Sequence, residues 1–307
     1  MKKKVTVILA VAAGLAVALY FVLPGLAVKW VRQSERKSAG LEEKNVRVGD
    51  HEIVYLEGGQ GETILMVHGF TANKDNWTRF AKSITPAYHV VALDLPGFGD
   101  STYLEQASYS VMDQAKRLDQ FVNAIDLKKF HIVGNSMGGH IAGRYAVMFP
   151  DKVITLGLFN ASGVTSPEQS ELAKMLAKGD PNPLIVGSAE DFDRMLKFVF
   201  VTPPVVPGFA KKVLVDQAVR HRAGNQRISK EGAAERAALE PDLPKIKART
   251  FVLWGDKDRL LDVSSVKPFE KGLANCATVI MKDCGHVPMI ERPEEAAKHY
   301  LTFLKGK

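Results

Sequence analysis

The chain alternates between short, continuous apolar runs and segments in which apolar residues recur every three or four positions. The continuous runs predict strands that are covered on both faces: TILMVHG, YHVVALD, FHIVGN, VITLGLFN, TFVLWG and ATVIMKD. The periodic segments predict helices near residues 75–84, 109–125, 136–149, 264–273 and 293–305. NVRVG and HEIVYLE are separated by Gly49-Asp50, which predicts a hairpin. Strands that alternate with helices indicate an α/β fold with a mostly parallel sheet and helices on both faces.

The alternation stops between Thr165 and about residue 248, where helical patterns and proline-rich loops replace the strands. We interpret this stretch as a helical cap inserted into the sheet domain, with apolar residues that line a lipophilic pocket. The predicted organisation is a membrane anchor at 1–28, a juxtamembrane helix and linker at 29–44, a first part of the core at 45–165, the cap at 166–248 and a second part of the core at 249–307.

The N-terminus carries a long apolar segment. Val5–Val28 contains no charged residue and is long enough to cross a hydrocarbon core of about 30 Å as a helix. A secretory signal is the alternative, but its apolar region usually has about 7–15 residues, so we predict an uncleaved transmembrane helix. The MKKK start favours an inside N-terminus, which in a bacterium places the main domain in the periplasm, on the inner membrane.

Residues within and after this segment indicate how it could pair with a second copy and contact the membrane surface. Ala10, Gly14 and Ala18 form a ladder of small residues that could pair two copies into a homodimer. The following KWVRQSERKSAG predicts an amphipathic helix with Trp30 at the interface and Gly40 at its end. The formal charge is +7, but apart from the basic residues that bracket the apolar run it is scattered. We therefore expect contact with lipid headgroups and no binding of nucleic acid.

One short motif carries the candidate chemistry. Gly134-Asn135-Ser136-Met137-Gly138 matches G-x-S-x-G between a predicted strand and a predicted helix. That context is the one a nucleophile elbow needs, because small residues on either side leave room for a sharp turn. A serine hydroxyl is a weak nucleophile without a base, so the motif requires a histidine and an acid elsewhere. Ser136 is therefore the predicted nucleophile.

The partners follow in the order that this kind of site uses: nucleophile, acid, histidine. Asp258 lies in the loop after the strand FVLWG, and His286 lies in the loop after the last predicted strand. Asp256 is expected to support its turn, and the alternative position for the acid carries Asn160. Ser136, Asp258 and His286 thus stand at three strand ends and form the predicted triad.

Acyl transfer also needs donors for the oxyanion. The predicted donors are the backbone N–H of Met137, which follows the nucleophile, and that of Phe70 in the loop after an early strand. His68 is expected to brace that loop rather than to react.

The segments HGF, DLPGFGDS, GNSMGG, WGDKD and CGH resemble, in this order, the motifs of the α/β-hydrolase superfamily across about 45–305. With its N-terminal anchor, the chain also resembles membrane-anchored bacterial phospholipases A and membrane-anchored monoacylglycerol lipases. The resemblance implies hydrolysis of lipid esters by Ser136, Asp258 and His286, without a metal or cofactor. The substrate-binding residues are not indicated.

Two other functions stay open at this point. Hydrolases of carbon–carbon bonds in ring-cleavage products share GNSMGG and CGH, although they lack an anchor. A non-catalytic receptor could also keep the fold and bind a hydrophobic ligand. The sequence predicts a membrane-anchored serine hydrolase that acts on phospholipid, lysophospholipid or monoacylglycerol esters.

Overall fold

A single eight-stranded sheet organises the protein, whose computed structural model describes residues 23–233, 235 and 238–306. The sheet order is β1-β2-β4-β3-β5-β6-β7-β8. The strands are β1 (Leu41–Val48), β2 (His51–Gly58), β3 (Thr63–Val67), β4 (His89–Leu93), β5 (Phe130–Asn135), β6 (Val153–Phe159), β7 (Arg249–Gly255) and β8 (Cys276–Met281).

The predicted α/β-hydrolase fold with a mostly parallel sheet is confirmed. Only β2 runs antiparallel, against β1 on one side and β4 on the other, and every later pair is parallel. The apolar runs of the sequence correspond to β3–β8, and β5 is buried along its whole length. A strand buried on both faces loses apolar surface to water on both, which explains the absence of polar alternation.

Helices cover both faces of the sheet. Serine side chains accept hydrogen bonds from the first turns of three of them, at Ser110, Ser170 and Ser188. The helices are α1 (23–38), α2 (Thr78–Ala81), α3 (Val111–Ala124), α4 (Met137–Met148), α5 (Glu171–Ala177), α6 (Ala189–Val199), α7 (Gly208–Ala233), α8 (Val266–Gly272), α9 (Pro288–Glu291) and α10 (Pro293–Leu304).

Two apolar cores form between these layers. The helices α3, α4 and α8 contribute residues such as Leu118, Ile141 and Phe269 to one core. On the opposite face, α2 and α10 contribute Phe80 and Tyr300 to the other. Between β6 and β7 the chain leaves the sheet and forms α5, α6 and α7, and this excursion lies above the carboxyl ends of the parallel strands, where both β6 and β5 end.

The predicted transmembrane segment and its ladder of small residues lie almost entirely outside the described residues, which begin at 23. Within the part of the chain that is described, no helix combines the length and apolar character that a membrane span requires. The helix α1 ends at residue 38, and Gly40 follows with a φ of 66°. β1 then begins at Leu41, whereas the core was predicted to begin at residue 45. The sequence of β1 is polar and largely exposed, so it shows no apolar pattern from which its start could be predicted.

Two basic residues of α1 contact the protein rather than remaining free for lipid. Arg36 is 8% exposed and donates two hydrogen bonds to the Asp75 carboxylate, at 2.6 and 2.8 Å. Arg32 lies 3.4 Å from the same carboxylate. The expectation that this basic cluster contacts headgroups is therefore wrong for Arg36, because a bidentate ion pair occupies its guanidinium.

Candidate active site

Ser136 lies in a sharp turn between β5 and α4. Its φ of 56° and ψ of −123° are unfavourable for a residue with a side chain. Tight backbone contacts hold the turn: a Cβ at Gly134 would come 2.2 Å from Gly138 O, and one at Gly138 would come 2.3 Å from His68 O. Glycine is thus required on both sides of Ser136 by close approach of backbone atoms.

Hydrogen bonds from neighbouring strand ends fix the turn. Ser136 N donates to Phe159 O at 3.0 Å, and Ser162 N donates to Ser136 O at 3.1 Å. Both partners belong to the end of β6 and the residues after it. The serine hydroxyl therefore stands at the start of α4, where the helix dipole favours developing negative charge.

The predicted acid and histidine are adjacent. His286 Nδ1 and Asp258 Oδ2 are 2.7 Å apart, and both side chains are buried. Asp258 also accepts hydrogen bonds from Leu260 N at 2.8 Å and Leu261 N at 3.0 Å through Oδ1. A proton on Nδ1 that is donated to Asp258 leaves Nε2 of His286 free to act as a base.

Two hydrogen bonds to the backbone of His286 hold it beside the cleft that Ser136 also lines. His286 N donates to Val199 O at 2.9 Å, and Asn135 Nδ2 donates to His286 O at 3.0 Å. Ser136 and His286 line the same cleft, which we call the catalytic cleft. The described structure forms no hydrogen bond between Ser136 Oγ and His286, and such bonds often tighten only when substrate binds.

The two predicted oxyanion donors lie beside Ser136. A Cβ at Gly69 would stand 3.0 Å from Ser136 Cβ, so the loop that carries Phe70 touches the turn. Among the described residues, neither Phe70 N nor Met137 N donates a backbone hydrogen bond to the protein outside its own helix or strand. Two free amide donors next to Ser136 are what an oxyanion hole requires.

His68 braces this loop. Its Nδ1 lies 2.7 Å from Gly69 O, and its Nε2 accepts a hydrogen bond from Leu95 N at 2.9 Å, which identifies Nδ1 as the protonated nitrogen. Burial lowers the pKa of His68 to about 4, against the opposing effect of the Gly69 carbonyl. The ring therefore stays neutral and links the loop to the end of β4.

Sequence reasoning missed Asn160. Its Nδ2 donates to Asp258 Oδ2 at 2.7 Å, so it holds the oxygen that also contacts His286. The residue has a φ of 44° and is fully buried at the end of β6. Its position at a strand end next to the predicted acid was a usable signal, because carboxyl ends of parallel strands share one edge of the sheet.

Lys74 was also missed. Its side chain is fully buried, and Nζ lies 2.7 Å from Asp94 Oδ2 and 2.6 Å from Asp100 Oδ2. Lys74 N donates to Asp94 Oδ1 at 2.6 Å. This ion-pair cluster ties the segment after Phe70 to the DLPGFGDS loop.

An apolar cavity of about 410 Å³ opens beside Ser136, between the strand ends and helices α5 and α7. We call it the cap cavity. Phe70 and Met137 line it together with His140, whose pKa is lowered to about 4 by burial and then by Arg144. The rest of its apolar lining includes Val164, Leu172, Leu176, Ile228, Leu260 and Leu261.

An elbow serine, a buried His–Asp pair and two free amides at the strand ends of such a sheet define the class of the α/β hydrolases with a serine nucleophile. Residues 62–293 match the family with the α/β hydrolase fold, and the chain belongs to that family.

Known proteins with similar sequences and structures include lipases. Lipase 1 of Psychrobacter immobilis is 35% identical over 282 residues, which cover 88% of this chain and 86% of that protein. Human monoacylglycerol lipase ABHD6 is 31% identical over 301 residues, which cover 94% of this chain and 89% of that protein. In the crystal structure of a membrane phospholipase A, a bacterial virulence factor, the chain is 47% identical in sequence to this one and superposes with a TM-score of 0.94. The match covers 100% of this chain and 99% of that chain. The resemblance to lipases and phospholipases of this fold is confirmed.

Proposed function

We propose that this protein is a serine hydrolase that cleaves carboxylic esters of lipids, with Ser136, Asp258 and His286 as its triad. The observation that carries the proposal is that Ser136 lines both the catalytic cleft, with His286, and the apolar cap cavity. An apolar cavity beside the nucleophile suits a fatty-acyl chain, because each buried methylene contributes about 0.8 kcal/mol. The similarity to lipases and a phospholipase A supports the same substrate class.

The reaction proceeds through an acyl-enzyme. Ser136 Oγ attacks the ester carbonyl carbon while His286 Nε2 takes the hydroxyl proton. The amides of Phe70 and Met137 hold the oxyanion, and Asp258 stabilises the imidazolium. The C–O bond to the alcohol then breaks, and His286 gives its proton to the leaving oxygen. Water attacks the acyl-enzyme by the same route and releases the fatty acid.

We further propose that the enzyme is anchored in a membrane by residues 5–28, with the catalytic domain on the periplasmic side of a bacterial inner membrane. Three apolar side chains of α1 support this placement: Leu23, Leu26 and Trp30 are 53%, 55% and 69% exposed. Their spacing puts them on one face of the helix. Similarity to a membrane phospholipase A points the same way. The ladder of small residues would allow two anchors to pair.

The decisive experiment uses the detergent-purified full chain. Ser136→Ala should lower kcat for p-nitrophenyl butyrate by roughly 10³–10⁶. A fluorophosphonate probe should label Ser136 in the wild type and should not label the variant. Wild-type turnover by Ser136→Ala would end the proposal. Labelled protein that hydrolyses a ring-cleavage dienoate in preference to lipid esters would favour the carbon–carbon hydrolase, and absence of any adduct would favour a receptor.

Membrane anchoring needs a separate test. The full chain should remain in the membrane pellet after alkaline carbonate extraction, because a spanning helix is held by its apolar length rather than by charge. Release into the supernatant would contradict the anchor. A C-terminal alkaline phosphatase fusion should be active if the domain is periplasmic.

A further inference from the structure

A third cleft lies beside the catalytic cleft and differs from it in charge. It has a volume of about 430 Å³ and is lined by Arg32 of α1, Thr71 and Asn73 of the loop after Phe70, and Arg220 and His221 of α7. We call it the cationic cleft. It shares Thr71, Ala72, Leu184 and Met195 with the catalytic cleft, so the two are continuous.

The arginines of this cleft retain unused positive charge. Arg220 makes no hydrogen bond or ion pair with the described part of the chain. Arg32 touches only Asp75, at 3.4 Å, and Arg36 already binds that carboxylate through two shorter hydrogen bonds. The one acidic side chain in the lining, Asp100, is held by Lys74 Nζ at 2.6 Å. Lys74 also pairs with the buried Asp94, so it does not cancel Asp100 alone, but the lining still carries two arginines against this one carboxylate and presents a net positive charge to an anion.

The position of the cleft identifies the kind of anion. Thr71 directly follows the predicted oxyanion donor Phe70 and lines both clefts. A group attached to an ester at Ser136 therefore reaches the cationic cleft by passing Thr71. The acyl side of the ester has the apolar cap cavity available. Its alcohol side then meets two arginines, whose guanidinium groups suit phosphate oxygens.

We propose that the cationic cleft binds the phosphate of a glycerophospholipid headgroup, with Arg220 and Arg32 as its ligands. The inference rests on the proposed lipid-ester hydrolysis and names its substrate class: lipids whose leaving alcohol carries a phosphodiester. It assigns Arg220 a role in specificity, because a monoacylglycerol has no group to fill the cleft.

The test compares three substrates with one acyl chain in neutral detergent micelles: lysophosphatidylglycerol, lysophosphatidylcholine and monoacylglycerol. Arg220→Gln should lower kcat/KM by about 10-fold on both lysophospholipids, mainly through KM, because a charge-assisted hydrogen bond is lost. On monoacylglycerol and p-nitrophenyl butyrate the variant should stay within about two-fold of wild type. Arg222→Gln, on the same helix but outside the cleft, is the matched control and should leave all four rates near wild type.

Each contrary result has a distinct meaning. Unchanged lysophospholipid kinetics in Arg220→Gln, or an equal loss on monoacylglycerol, overturns phosphate recognition. A loss confined to lysophosphatidylglycerol, or shared by Arg222→Gln, indicates adsorption to charged micelles and overturns it as well. If the wild type hydrolyses none of the four esters, the proposed function itself fails. Glycerol 3-phosphate separates a lipid headgroup from a soluble anion: strong inhibition that Arg220→Gln relieves would overturn the lipid assignment, and weak inhibition supports it.

Discussion

Asn160 Nδ2 donates to Asp258 Oδ2 at 2.7 Å, and His286 Nδ1 lies at the same distance from that oxygen. Two further donors, Leu260 N and Leu261 N, hold the other carboxylate oxygen. The carboxylate is thus fixed from four directions, and three of those contacts survive when Asn160 is replaced. Asn160 is a positioning residue for the acid of the predicted triad.

Asn160→Ala should therefore lower kcat for p-nitrophenyl butyrate by about 10-fold while KM changes little. The loss is smaller than that expected for Asp258→Ala, because the amide orients the carboxylate but does not contact the imidazole. Steady-state kinetics with a thermal melt for each variant measure the effect. Asn123→Ala, which changes an asparagine on α3, serves as the control. A wild-type kcat in folded Asn160→Ala would show that the amide has no part in positioning Asp258.

The buried Lys74 cluster predicts a large effect on stability. Lys74→Met leaves Asp94 buried without its cation, which should cost about 3–5 kcal/mol in the free energy of unfolding. Adding Asp94→Asn should recover part of that loss, since it removes the uncompensated charge. Urea titrations of the two single variants and the double variant measure the coupling.

The exposed Lys82→Met is the control for Lys74→Met and should change the free energy of unfolding by no more than about 0.5 kcal/mol. Additive losses in the double variant would mean that Lys74 and Asp94 do not stabilise each other.

Lys74 also shows why part of the site escaped sequence analysis. The strands β3–β8 could be predicted because burial on both faces leaves a continuous apolar run. The sharp turn at Ser136 could be predicted because glycine is needed on both sides of it. Lys74 stands in the polar stretch TANKDNW, where a lysine usually means a solvated surface. Its burial depends on Asp94 and Asp100, and a local pattern cannot encode a partner that far along the chain.

The same reasoning applies to Asn160 and to the start of β1. The sequence analysis considered Asn160 only as a position that lacks a carboxylate. An amide at a strand end can also donate a hydrogen bond to the acid that follows the neighbouring strand. β1 forms because its backbone pairs with β2 over Leu41–Val48, while most of its side chains face water. Backbone pairing at a sheet edge leaves no apolar signature, so the sequence pattern indicated only the later part of this strand, NVRVG.

The sharp turn at Ser136 predicts a strict requirement for glycine at position 138. A Cβ there would lie 2.3 Å from both Val67 O and His68 O, and neither backbone oxygen can move without displacing β3 or the Phe70 loop. Gly138→Ala should lower kcat by about 100-fold or more, since a shift of about 1 Å in a catalytic group has that effect. Gly208→Ala, at a position where a Cβ meets no atom within 4 Å, is the control. Normal turnover by Gly138→Ala would contradict the packing of the turn.

Two buried histidines predict loss of stability in mild acid. Burial lowers the pKa of His68 and of His140 to about 4, from an ordinary value of 6.5. Between these values the unfolded chain binds protons that the folded chain does not, so acid favours unfolding. The contribution of these histidines to the free energy of unfolding is complete above pH 6.5 and falls as the pH drops. It levels off below about pH 4, where each histidine has lost about 3 kcal/mol of stabilisation.

Urea unfolding at about pH 7.5 and at about pH 4.5 measures this difference, and His140→Leu isolates one of the two contributions. Leucine cannot bind a proton, so the variant should lose roughly half of the difference in unfolding free energy that the two histidines produce. An equal pH dependence in wild type and His140→Leu would mean that His140 is protonated as readily in the folded chain as in the unfolded one.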